Sequence, residues 1–340
     1  MRPWTVALTG ATGFIGAAVL RQLTGCAAAD GGPVRVRAVV RRADVVLPGG
    51  EAVAQVRADL TDPASLTGVL EGADALVHAV SYVGKDAERC AAVNVRGTTA
   101  VMAAARAAGV GRIVHLSTAA VYGTGPHHGI DVDEIAPAPV SAASRSRLVA
   151  EEPALDAGAL VLRPGLVLGA GDRWVVPAFA ELAERVPPEW LGGTGLQSLV
   201  DVGDLARLVV AAATAPDAVR GVHHAAHPVP VSTGRLRAAL SAHGLVAPAR
   251  GSADWQQCRA LLARSQGHYG ERQLGLLAQD HRYLSERIWQ LLARDPGPGP
   301  LARLDGAAAW YRGFMAGVRG RSPGRPEAPR SPAGRSATAR

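Results

Sequence analysis

Short apolar runs alternate with alanine-rich stretches from the start of the chain to about position 170. Runs rich in Val, Leu, Ile and Ala at 5–8, 34–40, 54–57, 75–78, 112–117 and 159–163 predict β-strands. Longer stretches between them predict helices at 15–23, 64–70, 87–108 and 140–152. Strands alternating with helices in this way predict an α/β fold, a Rossmann-type doubly wound parallel sheet. After about residue 171 the pattern loosens, and helices are expected at 174–184, 204–213, 233–243, 255–265 and 282–294. The predicted organisation is a dinucleotide-binding domain over 1–170 and a smaller, mostly helical substrate lobe over 171–319, with strands returning to the core. The segment 320–340 holds Arg, Pro, Ser, Gly and Ala without apolar period and is expected to be a disordered basic tail.

Composition narrows the class. The chain has 340 residues, 48% of them hydrophobic, enough for a full core. Its apolar runs are broken by Arg, Gly or Pro well short of a membrane span, and its N-terminus lacks the pattern of a signal peptide. The three cysteines, Cys26, Cys90 and Cys258, are isolated, which argues against a disulfide framework or a metal site. A cytoplasmic protein without metal is therefore expected. The net charge of +7 points toward nucleic acid only at first sight. Five arginines against one glutamate after Gly320 supply +4 of it, and the rest is spread along the chain. No nucleic-acid or membrane partner is expected, and the assembly is expected to be a monomer or a homodimer.

The strongest local signal is Thr9-Gly10-Ala11-Thr12-Gly13-Phe14-Ile15-Gly16, between the first predicted strand and the first predicted helix. A glycine turn in that context is built for a dinucleotide. Gly10 permits the tight turn, Gly13 lets the backbone approach a pyrophosphate, and Gly16 lets helix and strand pack closely. The helix N-terminus then presents free N–H groups and a positive dipole end to the phosphates. Cofactor choice is read at the end of the second strand. An acid there favours NAD, whereas this chain has Arg41-Arg42, two guanidinium groups that suit a 2′-phosphate. NADP(H) is the expected cofactor, with Thr12 as a further contact at the phosphate edge.

Together with other motifs, this turn resembles the extended short-chain dehydrogenases/reductases of the epimerase/dehydratase and dihydroflavonol-reductase type, over roughly residues 4–225. Ala58-Asp59-Leu60 resembles the adenine contact, and His78-Ala79-Val80 the loop beneath the nicotinamide ribose. Asn94-Val95-Arg96-Gly97-Thr98 resembles the helix with the family's structural Asn. Leu116 to Gly123, reading LSTAAVYG, resembles the strand end whose catalytic Ser/Thr falls on Thr118, with Ser117 beside it. Arg163-Pro164-Gly165 resembles the turn beside the nicotinamide, and Val200 to Leu205 a late family segment.

The departure lies in the next motif. The family reads Tyr, two residues, Ser, Lys, three residues, Glu. Anchoring on Ser146 and Glu151 puts Ala143 at the Tyr and Arg147 at the Lys. Spacing of i,i+4 puts both on one helix face. Arg147 can still bond ribose hydroxyls, but Ala143 has no proton to give. Tyr283 and Arg287 repeat the spacing without neighbouring motifs. Loss of a positioned acid costs about 10²–10⁴ in rate, while positioning next to the dihydronicotinamide survives. The proton then comes from the substrate, or from Ser117, Thr118, Tyr82, His127 or His128, or the chain is no longer an enzyme. Tyr82, Tyr122, His127 and His128 are expected around the substrate, and Ser117, Thr118 and Arg147 as supporting catalytic groups.

This combination resembles the atypical ketoreductases of actinomycete aromatic polyketide pathways, which implies reduction of a carbonyl on an aromatic polyketide during antibiotic biosynthesis. The abundance of Arg, Ala, Gly and Pro fits a GC-rich genome. Two other readings stay open: an NADP-binding redox sensor without turnover, and a nucleotide-sugar epimerase or dehydratase. The last is weakest, because those reactions start by removing a hydroxyl proton, the work of the missing Tyr.

Overall fold

The computed structural model describes residues 2–28, 31–42 and 44–319; the basic segment 320–340, expected to be disordered, lies outside the described residues. Among the described residues, seven strands form a parallel sheet: β1 (Trp4–Thr9), β2 (Val34–Val40), β3 (Val53–Arg57), β4 (Ala75–His78), β5 (Arg112–Leu116), β7 (Leu160–Arg163) and β12 (Gly221–His224). Their order is β12-β7-β5-β4-β1-β2-β3. The chain runs outward in both directions from β1, so a crevice opens at the carboxyl ends where β1 and β4 lie side by side.

Both faces of this sheet are covered, as the pattern along β1 shows. Val6 and Leu8 enter a core with Val19 and Leu20 of helix α1 (Phe14–Leu23). Ala7 between them faces the opposite core with Val101 and Met102 of a later helix. Each such Val or Leu contributes about 1.5–3 kcal/mol by leaving water. Helix α2 (Ala87–Cys90), a π-helical segment 91–96 and α3 (Gly97–Ala107) form one run on this second face. Helix α4 (Ala142–Asp156) packs beside it. On the first face, α6 (Val202–Thr214) packs on α1. Thus α6 and β12, both beyond residue 171, belong to the dinucleotide-binding layer.

Most of the remaining described residues build a second layer around Phe179, Leu182, Trp190, Leu236, Leu240, Leu274, Leu277, Leu304 and Tyr311. Its helices are α5 (Val175–Arg185), α7 (Thr233–Ala242), α8 (Trp255–Ala263), α9 (Glu271–Ala278) and α11 (Leu304–Arg319), whereas α10 (Glu286–Leu291) packs into the first core through Ile288 and Trp289. A four-stranded sheet joins it, with β13 (Val231–Ser232), β10 (Leu196–Gln197), β15 (His281–Tyr283) and β6 (His127–Ile130) in that order. Two strand pairs complete it: β8 (Leu166–Leu168) with β11 (Leu199–Asp201), and β9 (Glu189–Trp190) with β14 (Ser252–Ala253).

Two expected helices differ. The stretch 64–70 forms only a 3₁₀ turn, Pro63–Leu66, because Asp62 caps it and Gly68 follows at φ +71°. The expected helix 282–294 begins as strand β15 and becomes helical only at Glu286. Tyr283 and Arg287 therefore do not share a helix face.

Candidate active site

The glycine turn is shaped by contacts no side chain would allow. Gly10 sits at φ +81°, and a Cβ there would lie 2.8 Å from the carbonyl carbon of Ala79. A Cβ on Gly16 would lie 2.0 Å from the Gly10 oxygen. Gly13 caps α1 with its N–H on the Gly10 carbonyl at 2.9 Å, and the first turn holds no acid to compete with an anion. Phe14, Ile15 and Gly16 open the helix with N–H groups that have no intrahelical acceptor. Thr12 and Gly13 are exposed beside them. This is a cradle fitted to a pyrophosphate.

The remaining cofactor residues line the same crevice with one exception in detail. Arg41 and Arg42 follow β2 and are exposed, Arg42 lying 3.5 Å from the Asp44 carboxylate. Asp59 accepts the Thr61 N–H at 2.9 Å and the Thr61 hydroxyl at 2.7 Å. These bonds, with the Arg41 charge as a smaller cause, hold its carboxyl below the usual range. Leu60 is half-buried beside it, against Gly97. Ala79 and Val80 offer backbone next to Gly10. The exception is His78, whose imidazole turns into the core. Its Nδ1 lies 2.7 Å from the Thr9 hydroxyl and its Nε2 3.0 Å from the Thr98 hydroxyl. Only its backbone can face a cofactor. Burial lowers its pKa to about 4, so it stays neutral.

Helix α4 carries the altered motif. Ser141 and Ser144 form a reciprocal cap that makes Ala143 the second helical residue. Ala143 is buried, and one turn later Arg147 reaches across the end of β5. Its Nη2 donates to the carbonyls of Leu116, at 3.1 Å, and of Ser117. Its Nε is buried without a partner. Burial pulls the guanidinium down to about 10, against the attraction of Glu151, and it remains charged at neutral pH. Thr118 caps the following turn, Ala119–Tyr122, with its hydroxyl accepting the Ala120 N–H at 3.2 Å. Pro164 is held nearby by its carbonyl, which accepts from Ala119 at 2.9 Å. Asn94 ties the loop after β4 to α4. Its amide brackets the backbone of Tyr82 at 2.7 and 2.9 Å and donates to Ser146 at 2.9 Å. Arg89 covers the Tyr82 ring at 4.5 Å.

Three expected side chains are committed elsewhere. Ser117 donates to Glu151 inside the core, so it is corrected from a supporting donor to a structural one. Glu151 forms a two-pronged buried pair with Arg163, at 3.0 and 2.6 Å. Breaking such a pair from one side costs about 3–5 kcal/mol. Arg163 also donates to the Tyr122 hydroxyl at 2.8 Å. That hydroxyl lies 2.8 Å from His224 Nε2, while His224 Nδ1 faces the Leu284 carbonyl at 3.1 Å. The Leu284 carbonyl can only accept, so Nδ1 carries the proton and Nε2 is left as an acceptor; the one Tyr122 proton is shared between Nε2 and the Val132 carbonyl at 3.1 Å. His127 is buried with Nδ1 at 3.0 Å from the Tyr283 hydroxyl, and burial lowers it to about 4. Tyr122 and His127 are thus parts of a packed polar and aromatic cluster. His128 is exposed and bonded to Asp280 at 2.8 Å.

Two groups near the site went unnoticed in the sequence. Asp172 caps α5 through the N–H groups of Trp174, Val175 and Val176, and accepts the Tyr311 hydroxyl at 3.0 Å. An Asp just ahead of an apolar helix is a capping signal that would have found the first. Tyr311 had no such signal. Among the described residues no helix is long and apolar enough to cross a membrane, and no cluster of metal-ligating side chains is found.

Known proteins share this architecture. WbmH of Bordetella bronchiseptica, solved in complex with NAD+, superposes with a TM-score of 0.70 at 21% identity, over 92% of this chain and 100% of that one. A dTDP-glucose 4,6-dehydratase of Streptomyces venezuelae gives 0.68 at 20%, over 92% and 97%. In sequence, the 2-alkyl-3-oxoalkanoate reductase of Stenotrophomonas maltophilia is 35% identical over 147 residues. That alignment covers 39% of this chain and 44% of that one. The 4-hydroxy-2-methyl-3-oxo-4-farnesyl-3,4-dihydroquinoline-1-oxide ketoreductase of Stigmatella aurantiaca is 31% identical over 219 residues, 61% of this chain and 63% of that one. The chain therefore spans less than two thirds of either relative. Residues 6–225 match the model of the NAD dependent epimerase/dehydratase family, and the chain belongs to that family.

Proposed function

We propose that the chain is an NADPH-dependent ketoreductase of an aromatic polyketide, with the proton supplied by the substrate. The observation that carries this reading is the first turn of α4: Ala143 stands where an acid is needed, over an otherwise complete dinucleotide crevice. The reductase and ketoreductase names of the two sequence relatives support the reaction class. The resemblance to the angucyclinone ketoreductase of simocyclinone biosynthesis supports the substrate class. Epimerisation and dehydration are disfavoured by the same Ala143.

The residues present fit a nicotinamide dinucleotide. The spaces at Gly10 and Gly16 that a Cβ would fill admit close backbone approach, and α1 offers its free N–H groups. Arg41 and Arg42 would hold the 2′-phosphate, Asp59 and Leu60 the adenine, and Ala79, Val80, Pro164 and Arg147 the nicotinamide side. Bound there, NADPH supplies a hydride to the carbonyl carbon. Arg147, fixed by the carbonyls that end β5, orients ribose hydroxyls with its remaining donors. Thr118, at the turn that follows β5, offers a hydroxyl that would orient the carbonyl oxygen. On a peri-hydroxy ketone the developing alkoxide takes the neighbouring phenol proton, and the delocalised phenolate is reprotonated from water. His127 is neutral and bonded to Tyr283, which leaves it a poor acid.

The test compares NADPH oxidation with a peri-hydroxy aromatic ketone and with its methyl ether. The ketone is expected to turn over and the ether to bind but nearly stop. An ether reduced at full rate refutes the substrate as acid. NADPH binding without turnover on any aromatic ketone favours the sensor.

A further inference from the structure

We infer that Tyr311, on the C-terminal helix, is a positioning residue for the dinucleotide turn and acts through the loop 169–172. This rests on the reading that the turn holds a nicotinamide dinucleotide. The loop follows β8 and leads into α5. Two glycines let it fold tightly: Gly169 at φ +128° and Gly171 at φ +107°. One side of the loop lies on the turn. A Cβ placed on Gly171 would come 2.8 Å from Cδ2 of Phe14, the residue that opens α1. The loop therefore packs directly on the Phe14 ring, at the first turn of α1 that carries the free N–H groups.

The other side is held by one hydroxyl. Tyr311 accepts the Gly169 N–H at 2.9 Å and donates to Asp172 Oδ2 at 3.0 Å. Both ends of the loop are thus bonded to the same atom, which lies on a residue with no exposed surface. Asp172 is itself buried and spends its other bonds on the cap of α5. Loss of the hydroxyl leaves the buried Gly169 N–H without its partner and Asp172 Oδ2 with the Val176 N–H alone. Helix α11 reaches this position because Leu304, Ala307, Ala308 and Tyr311 form its buried stripe at i, i+3, i+4 and i+7. A residue some 300 positions from the glycine turn then sets how firmly the turn holds its anion.

The experiment measures NADPH binding by full-length protein, by titration of its fluorescence, together with hydrogen exchange in the absence of cofactor. Tyr311→Phe keeps the ring and deletes the hydroxyl. The expected result is a Kd raised about three- to tenfold, with kcat at saturating NADPH changed less than about twofold. The bonded amides of Gly13, Ala17, Gly169 and Asp172 should exchange faster while the rest of the sheet is unaltered. Gly171→Ala presses on Phe14 directly and should also weaken binding. In its background, Tyr311→Phe should add little, because both act through one loop. A Tyr311→Phe protein that melts earlier but binds NADPH with unchanged Kd overturns the inference and makes Tyr311 merely structural. Wild-type protein that binds neither NADPH nor NADH overturns the proposed function itself. If Tyr311→Phe does not fold, an unchanged Kd in Gly171→Ala refutes the link between loop and turn.

Discussion

Lowering the pH to 5 should remove about 4–6 kcal/mol of folding stability, through buried histidines. His78, His127 and His224 are 0%, 6% and 2% exposed, and burial lowers each to about 4. Unfolded histidine titrates near 6.5. Each is therefore neutral in the fold and protonated in the unfolded chain once the pH falls below 6.5. The stability they permit is fully present above pH 6.5 and is lost progressively down to about pH 4. At pH 5 the difference comes to about 2 kcal/mol per residue, about 4 kcal/mol for His78 and His224 with up to about 2 more from His127. His115, His223 and His281 are shifted in the same direction. Asp172, Asp201 and Glu189 are shifted upward by burial and act with the opposite sign, gaining stability as the pH falls through their folded values.

Against the 5–15 kcal/mol of a typical domain, such a loss is large enough to measure. Urea denaturation at fixed ionic strength, at pH 7.5, 6.5, 6.0, 5.5 and 5.0, measures it. The expected slope between pH 6 and 5 is about 3 kcal/mol per unit, with little change above pH 7. His127→Gln should lower that slope by about a third. A slope under about 1 kcal/mol per unit would refute the assignment of neutral buried imidazoles.

Three further outcomes are expected. Gly16→Ala should abolish cofactor binding, measured by NADPH titration, because the added Cβ meets backbone at 2.0 Å and no side chain can yield. Replacing Arg41 and Arg42 together with Ala should collapse a preference for NADPH over NADH, each charge-assisted bond being worth about 1.5–3 kcal/mol or about tenfold or more; equal binding of both cofactors by the wild type would refute the preference. His115→Leu should be neutral or stabilising in thermal melts, since both ring nitrogens are buried without a partner and leave no bond to lose.

The parts of this fold legible in the sequence are those where a local rule acts alone. β2 and β4 run over the residues expected, because a run of apolar residues between breakers has one reading. The glycine turn was legible because close backbone approach admits only glycine. The helix expected at 282–294 failed where tertiary context wins: His281–Tyr283 pairs as a strand with β6 and β10. The site was legible in its backbone and less so in its side chains. Ser117 and Tyr122 sit where the motif puts them, and His127 follows close behind, yet their polar atoms point into the core. Periodicity reports which face is apolar and says nothing of which hydroxyl finds a buried carboxylate. Glu151 and Arg163 are twelve residues apart, Tyr122 and His224 about a hundred, and no spacing rule links them.

The loss of a proton donor at Ala143 has a consequence for specificity. A positioned acid is worth about 10²–10⁴ in rate, or about 3–5 kcal/mol, and it serves any carbonyl that reaches it. Without it, the barrier falls only for substrates that carry their own proton beside the reacting oxygen. The surrounding framework makes this more stringent. Arg147 is pinned by two carbonyls, Ser117 is spent on Glu151, and the nearby histidines are neutral and bonded. None of them can swing in as a general acid without breaking a buried bond. On the proposed reading, a simple aryl ketone that docks well should therefore still be reduced slowly, and adding one neighbouring hydroxyl should raise kcat more than it lowers KM. The selectivity would then lie in the chemistry of the substrate, with the pocket supplying position.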